Sequence, residues 1–372
     1  MRLLIAPDCF GDTLTAVQAA DALRDGWLAA RPADEIVCAP LSDGGPGFVA
    51  VLQASLGGSL RTVRVADPLG RPVDAALLLH DRTAYVESAQ ACGLHLLGAA
   101  ERDPRVTSTF GVGQLVLAAL DAGATRIVLG LGGSATNDGG AGLCAALGLL
   151  PCDADGRPLA QGGAALRRVV AVRGAPDPRL AGVRLVVATD VDAPLLGLTG
   201  ASSVFGPQKG ASREDVQVLD QALLRWADVL EPTLGVAVRD RPGAGAAGGL
   251  GAALLAFAAR REPGIALVRD LVGLDALAEG AELVVTGEGR FDGSSLRGKV
   301  VSGVAALAAD RAVPCLVLAG QVAVGRREAA MIGVDAAYSL VDQVGPAAAF
   351  AEPAAGLRAL AARVARQWSV SR

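Results

Sequence analysis

The chain has 372 residues, 52% of them hydrophobic and 19% charged, with a mean hydropathy of +0.42. At ~100–200 residues per domain this is a two-domain length, and the composition excludes a disordered chain. A net charge of −4 without a block of like charge, together with 3% aromatics, excludes a basic or base-stacking nucleic-acid surface.

From the N-terminus, Arg2 to Ala6 reads as a short apolar strand, with Asp8 placed where a leader peptide would still be apolar. Apolar residues at helical spacing predict a helix from Ala16 to Ala30 with Thr15 as its N-cap. A strand over Glu35 to Leu41 and a helix over Gly47 to Ser55 follow. LRTVRV, VDAALLL and TAYVESA, split by DPLGRP and HDR, read as antiparallel strands and mark entry into another domain.

Then come a helix over Gly113 to Ala122, a strand over Arg126 to Leu131 and a helix over Gly139 to Leu149. The stretch DADGRPLAQGG is turn-rich; Leu185 to Thr189 is a strand and Arg213 to Leu230 a long helix. Gly243 to Ala259 is uncharged but studded with glycines, which predicts a buried helix entered through a glycine loop rather than a membrane span. Strands over Glu282 to Thr286, Cys315 to Ala319 and Ala336 to Val341 alternate with helices over Val300 to Asp310 and Gly356 to Val370.

Such alternation implies parallel sheets. The expected fold is α/β: a doubly wound Rossmann-like domain from residues 1–60 plus 281–372, with a mixed α/β domain of residues 61–280 inserted. The six cysteines are scattered without a CxxC pair, which suggests a reduced, cytoplasmic protein without disulfides or a zinc site. His80 and His95 are the only histidines, too few for a His-rich metal site and poor grounds for a Ser-His-Asp hydrolase.

Two scarcities point to function. Only Lys209 and Lys299 among the 34 basic residues are lysine, and Asn137 is the only asparagine. All three lie in glycine-rich segments, where a compact ammonium or an uncharged amide does what Arg or Asp would not. Asp8, Asp43, Asp190, Glu288 and Asp292 follow strands, where open α/β sheets bind ligands. A lone Asp there is commonly a turn former, but five acids beside glycines suggest a cleft that needs cations, and Mg²⁺ with a phosphate substrate answers that need.

Gly130 to Gly140 joins a strand to a helix, so its N–H groups are candidates for cradling phosphate. It contains GxGxxA, a weak dinucleotide signal alone. Gly243 to Gly251 contains GxGxxG without a preceding strand and is equally read as a loop entering a closely packed helix. Gly287 to Lys299 ends as GxxxxGK, but Val300 replaces the Ser or Thr of a Walker loop. It still joins two acids to Arg290, Arg297 and Lys299, an inventory suited to phosphoryl transfer.

With these segments assembled, the chain resembles the bacterial glycerate kinase family nearly end to end. The segments that carry the resemblance are LIAPDCFGDTLTA, LSDGGPG, TSTFGVGQL, LGLGGSATNDGGAG, ATDVDAPL, GASSVFGPQKGA, GAGAAGGLGA and TGEGRFDGSSLRGKV. The resemblance implies ATP- and Mg²⁺-dependent phosphorylation of D-glycerate, with 2-phosphoglycerate the expected product, by in-line transfer in an interdomain cleft. The chain departs from the family's pattern at Gly11 (usually Lys), Pro46 (usually Glu), Ala193 (usually Asn) and Ser294 (usually Gln).

On this reading Asp190 is the base, with Asp8 second, and Glu288 and Asp292 lie near Mg²⁺ through water. Lys299, with Arg297, neutralises the transferred phosphoryl or holds the glycerate carboxylate, and Arg290 adds to the same cationic loop. Ser134, Thr136 and Asn137 line the nucleotide or glycerate pocket, the Gly132 and Gly133 amides meet phosphate, and Lys209 reaches the same pocket from the inserted domain. The expected partners are small molecules, neither nucleic acid nor membrane, and a homodimer is left open. Two other readings stand beside this one: an NAD-dependent hydroxy-acid dehydrogenase using the GxGxxA loop, and a ligand-binding homologue that has lost kinase activity.

Overall fold

The computed structural model describes residues 1–296 and 298–369. The contacts divide the chain into two compact units. The first comprises residues 1–43, 50–56 and 265–372; the second comprises 44–49 and 57–264.

The first unit is built on a fully parallel five-stranded sheet. Its spatial order is Ala336–Ser339, Cys315–Ala319, Leu283–Thr286, Arg2–Ile5, Glu35–Cys38. Counted along the chain this is 2-1-3-4-5, a doubly wound order whose switch point falls between Arg2–Ile5 and Leu283–Thr286. The strands RLLI, LVVT and CLVLA are apolar runs without alternation, as a sheet covered on both faces requires. Leu3, Ile5, Leu283, Val285, Leu316 and Leu318 pack with Trp27 and Leu23 of the helix Ala16–Ala30 and with Leu357, Leu360 and Val364 of the helix Pro353–Ser369.

Thr15 caps the helix Ala16–Ala30 as the sequence predicts, accepting from the Gln18 N–H at 3.1 Å. The Gln18 side chain returns the bond to the Thr15 N–H at 3.0 Å, closing a capping box. Two expected strands stop early. Glu35–Cys38 ends before Pro40, and Ala336–Ser339 ends because the Ser339 hydroxyl accepts from Asp342 N–H at 3.1 Å and starts a new helix, Leu340–Val344.

The second unit has a six-stranded mixed sheet in the order Arg260–Glu262, Arg184–Ala188, Arg126–Gly130, Thr83–Glu87, Pro72–His80, Ser59–Ala66. The last three pair antiparallel, and the other neighbours are parallel. Leu77, Val86, Ile127, Leu129 and Val187 of the sheet share a core with the helices Phe110–Asp121, Arg213–Leu234 and Ala246–Ala256.

The helix expected from Gly139 to Leu149 is only Ala141–Ala146. Gly139 and Gly140 have φ of +62° and +73°, outside the helical region, and Gly148 at +101° ends the segment. The glycine loop 243–251 packs against this turn: the Gly139 N–H donates to the Gly248 carbonyl at 3.0 Å. A Cβ at Gly248 would lie 1.9 Å from the Thr136 carbonyl oxygen, so the glycine there permits close backbone approach. No helix among the described residues is long and apolar enough to cross a membrane.

Candidate active site

In the first unit, acids gather at the carboxyl ends of the strands that flank the switch point. Asp8 follows Arg2–Ile5, and its N–H donates to the Gly287 carbonyl at 2.8 Å. That bond ties the Asp8 loop to the loop after Leu283–Thr286, which carries Glu288. Glycines make the approach possible: a Cβ on Gly289 would sit 2.9 Å from backbone atoms of Phe10 and Gly11.

Burial, then repulsion from Asp43 and Glu288, hold the Asp8 carboxyl well above the ordinary range, while the Cys9 N–H donates to it at 2.7 Å and opposes this. Glu288 is 8% exposed, and burial pushes it up to about 7 against the pull of the Ser295 hydroxyl and the Lys299 ammonium. Its Oε1 is buried with no hydrogen-bond partner. A buried acceptor left unpaired costs about 1–3 kcal/mol, so this oxygen is poised for a donor or a cation.

Asp292 is differently placed. Its Oδ1 accepts from the Ser294 N–H at 2.9 Å and the Ser294 hydroxyl at 2.7 Å, and its Oδ2 lies 3.3 Å from Arg290 Nε. These partners hold it below the usual carboxylate range. Lys299 N-caps the helix Val300–Asp310, and its Nζ donates to the Ser294 hydroxyl at 3.1 Å. Ser294 therefore links Asp292 to Lys299. Arg297 lies outside the described residues.

In the second unit the glycine loop and Lys209 do come together. Lys209 is 2% exposed, and its Nζ donates to Ser134 Oγ at 3.0 Å and to the Thr136 carbonyl at 2.7 Å. Burial lowers its pKa to about 8. Gly132, Gly133, Ser134, Lys209, Val191 and Phe205 are among the residues lining a cavity of about 110 Å³. Asp190, half-buried at the end of Arg184–Ala188, directly precedes the cavity-lining Val191. Its neighbour Asp192 pairs with Arg261 at 2.6 Å.

Asn137 Nδ2 donates to Ser202 Oγ at 2.9 Å, while Asn137 Oδ1 and Thr136 Oγ1 are buried without a partner. The glycines before them also answer to packing: a Cβ on Gly132 would fall 2.5 Å from Gly45 Cα, and one on Gly133 2.7 Å from Pro46 Cγ.

Two residues of structural weight escape sequence reasoning. Asp138 is buried, and its carboxylate accepts from the Thr109 N–H and hydroxyl and from the Gly140 and Gly142 N–H groups at 2.8–3.1 Å. It anchors the loop from inside. Trp226 donates its indole N–H to the Gly139 carbonyl at 2.9 Å. Sequence offers no signal for Asp138 beyond its place among the glycines.

The glycerate kinase family matches this chain over residues 3–369. The chain belongs to that family. Among curated relatives, a glycerate kinase of Halalkalibacterium halodurans is 44% identical over 92% of this chain and 91% of its own length. The glycerate 2-kinase of Escherichia coli K12 is 42% identical over 93% of this chain and 92% of its own. A crystal structure from Salmonella typhimurium LT2, provisionally named glycerate kinase 2, matches with a TM-score of 0.80 at 40% identity, covering 100% of this chain and 98% of that one.

Proposed function

We propose that the chain is an ATP-dependent kinase that phosphorylates D-glycerate to 2-phosphoglycerate. The observation that carries this reading is the group of Asp8, Asp43 and Glu288 at the switch point of a parallel sheet, with Lys299 on the adjoining loop. Carboxylates for a hard cation beside an ammonium for phosphate is what phosphoryl transfer requires. Family membership supports the same reading, and the curated relatives named above supply glycerate as the acceptor.

The donors present suit Mg²⁺. They are carboxylate oxygens, and one of them, Glu288 Oε1, is buried and unpaired. Among the described residues no three His, Cys, Asp or Glu side chains are placed to hold a metal alone. Mg²⁺ needs only one or two carboxylates, because water and substrate phosphates complete its shell. Glu288 would hold it, with Asp8 or Asp43 beside it, and Asp292, steadied by Ser294, would act through water. Mg²⁺ supplies charge neutralisation on the nucleotide phosphates.

Lys299, and Arg290 on the same loop, would stabilise the charge that develops on the transferred group. Asp190 would accept the proton of the attacking hydroxyl, with Asp8 the second candidate; Asp190 adjoins a cavity wall, which favours it. Ser134, Thr136 and Asn137 would line the pocket for nucleotide or acid.

The test is ADP release from MgATP in the presence of D-glycerate, with NAD⁺ and D-glycerate as a separate mixture. Release that needs both MgATP and the acid is expected. Reduction of NAD⁺ by glycerate, without ADP release, would replace the kinase by a dehydrogenase. Binding of both substrates without turnover would mean that the family's chemistry has been lost.

A further inference from the structure

The second unit buries a positive charge without giving it a carboxylate. Lys209 Nζ has two acceptors, the Ser134 hydroxyl and the Thr136 carbonyl, and both are neutral. Asp138 acts on it through space, but the oxygens of Asp138 accept from Thr109, Gly140 and Gly142 instead. An ammonium carries three N–H donors, so one is left over. A buried charge of this kind is costly unless something compensates it.

The compensation has a place to sit. Lys209 borders the cavity of about 110 Å³, and so do Gly132 and Gly133. Among the described residues, the N–H groups of Gly132 and Gly133 make no hydrogen bond. Gly132 is half-buried and Gly133 exposed, so solvent reaches this side of the cavity. Two successive unpaired amides beside a buried ammonium can form an anion-binding concavity. The remaining wall includes the half-buried Val191 and Phe205, which add apolar surface beside the ammonium. The volume is well below the ~300 Å³ at which pockets for drug-sized ligands begin, so it suits a small acid rather than a whole nucleotide.

We infer that this cavity recognises the carboxylate of a small hydroxy acid, which accepts from Lys209 Nζ and from the Gly132 and Gly133 amides. The inference rests on the glycerate reading above and divides the work: the glycine loop reads the acid, not the nucleotide. It also gives a reason for lysine at this position. A compact ammonium with three rotatable donors can serve two loop acceptors and a ligand at once, whereas arginine presents a rigid planar fork suited to bidentate partners.

The experiment is calorimetric titration of the full chain, wild type and Lys209→Met, with D-glycerate, glycerol, inorganic phosphate and MgATP in turn. The wild type is expected to bind D-glycerate and not glycerol, which lacks the carboxylate. Lys209→Met is expected to weaken D-glycerate at least tenfold and to leave MgATP within twofold. Unchanged D-glycerate affinity in the variant overturns the inference, and so does loss of phosphate and MgATP with the acid retained. If the wild type ignores D-glycerate but binds glycolate or lactate in a Lys209-dependent way, the carboxylate site stands and the glycerate reading falls. Should Lys209→Met fail to fold, Lys209→Gln, which keeps a donor for the Thr136 carbonyl, decides between the same outcomes. Competition on the wild type, in which glycolate displaces D-glycerate and glycerol does not, is required in either case.

Discussion

Glu288 Oε1 is a buried acceptor to which nothing donates, and the residue's pKa is near 7. Two consequences follow at the scale of this one side chain. Its pKa in the folded state lies above its ordinary value of 4.5. The folded protein therefore binds a proton more readily than the unfolded chain does. This contribution to stability is fully present below about pH 4.5 and is lost as pH rises towards 7. Glu288→Gln should make that slope shallower, seen as a denaturation midpoint that falls less between pH 5 and 7 than that of the wild type, because Asp8 also sits above its ordinary range. The same variant should raise the Mg²⁺ concentration needed for half-maximal rate several-fold, because a neutral amide attracts a cation less. An unchanged Mg²⁺ requirement would remove Glu288 from the metal's surroundings. Lys299→Ala should lower kcat by about 10²–10³-fold, as loss of one transition-state charge donor does. Circular dichroism should show the fold intact, and a kcat within threefold of wild type would take Lys299 off the list. Asp190→Asn should fall comparably in kcat; a normal rate would pass the base role to Asp8.

At the scale of elements, glycine placement sets what the helices can do. Gly26 lies on the buried side of Ala16–Ala30, where an added Cβ would sit 2.2 Å from the Arg358 carbonyl oxygen of Pro353–Ser369. Gly26→Ala should push these two helices apart and cost about 1–3 kcal/mol, as overpacking does. A lowered thermal midpoint with near-normal KM values would be the signature. Thr15 and the helix it caps were readable from sequence because a capping box is local: Thr15 and Gln18 are three residues apart. The helix after Gly140 was overestimated for the opposite reason. Gly139 and Gly140 take positive φ to pack on Trp226 and Ala253, residues remote in sequence. Likewise, the rarity of lysine singled out Lys209, but its burial and its bond to Ser134, 75 positions away, are tertiary facts. Asp292 could be seen as an acid after a strand, while its engagement by Ser294 could not.

At the scale of the whole molecule, alternating strands and helices announced an α/β protein, and the antiparallel run from Ser59 to Glu87 appeared where expected. Strand order was not readable. Arg2–Ile5 and Leu283–Thr286 are neighbours across about three-quarters of the chain, and only their pairing puts Asp8 and Glu288 at one switch point. The first unit thus assembles the acids from both ends of the sequence. The most direct test is ³¹P NMR of the intact enzyme turning over MgATP with D-glycerate. The γ-phosphoryl signal is expected to give way to ADP and a phosphate monoester on the 2-hydroxyl. Inorganic phosphate in place of the ester, or an unchanged ATP spectrum with folded protein, would contradict the kinase reading.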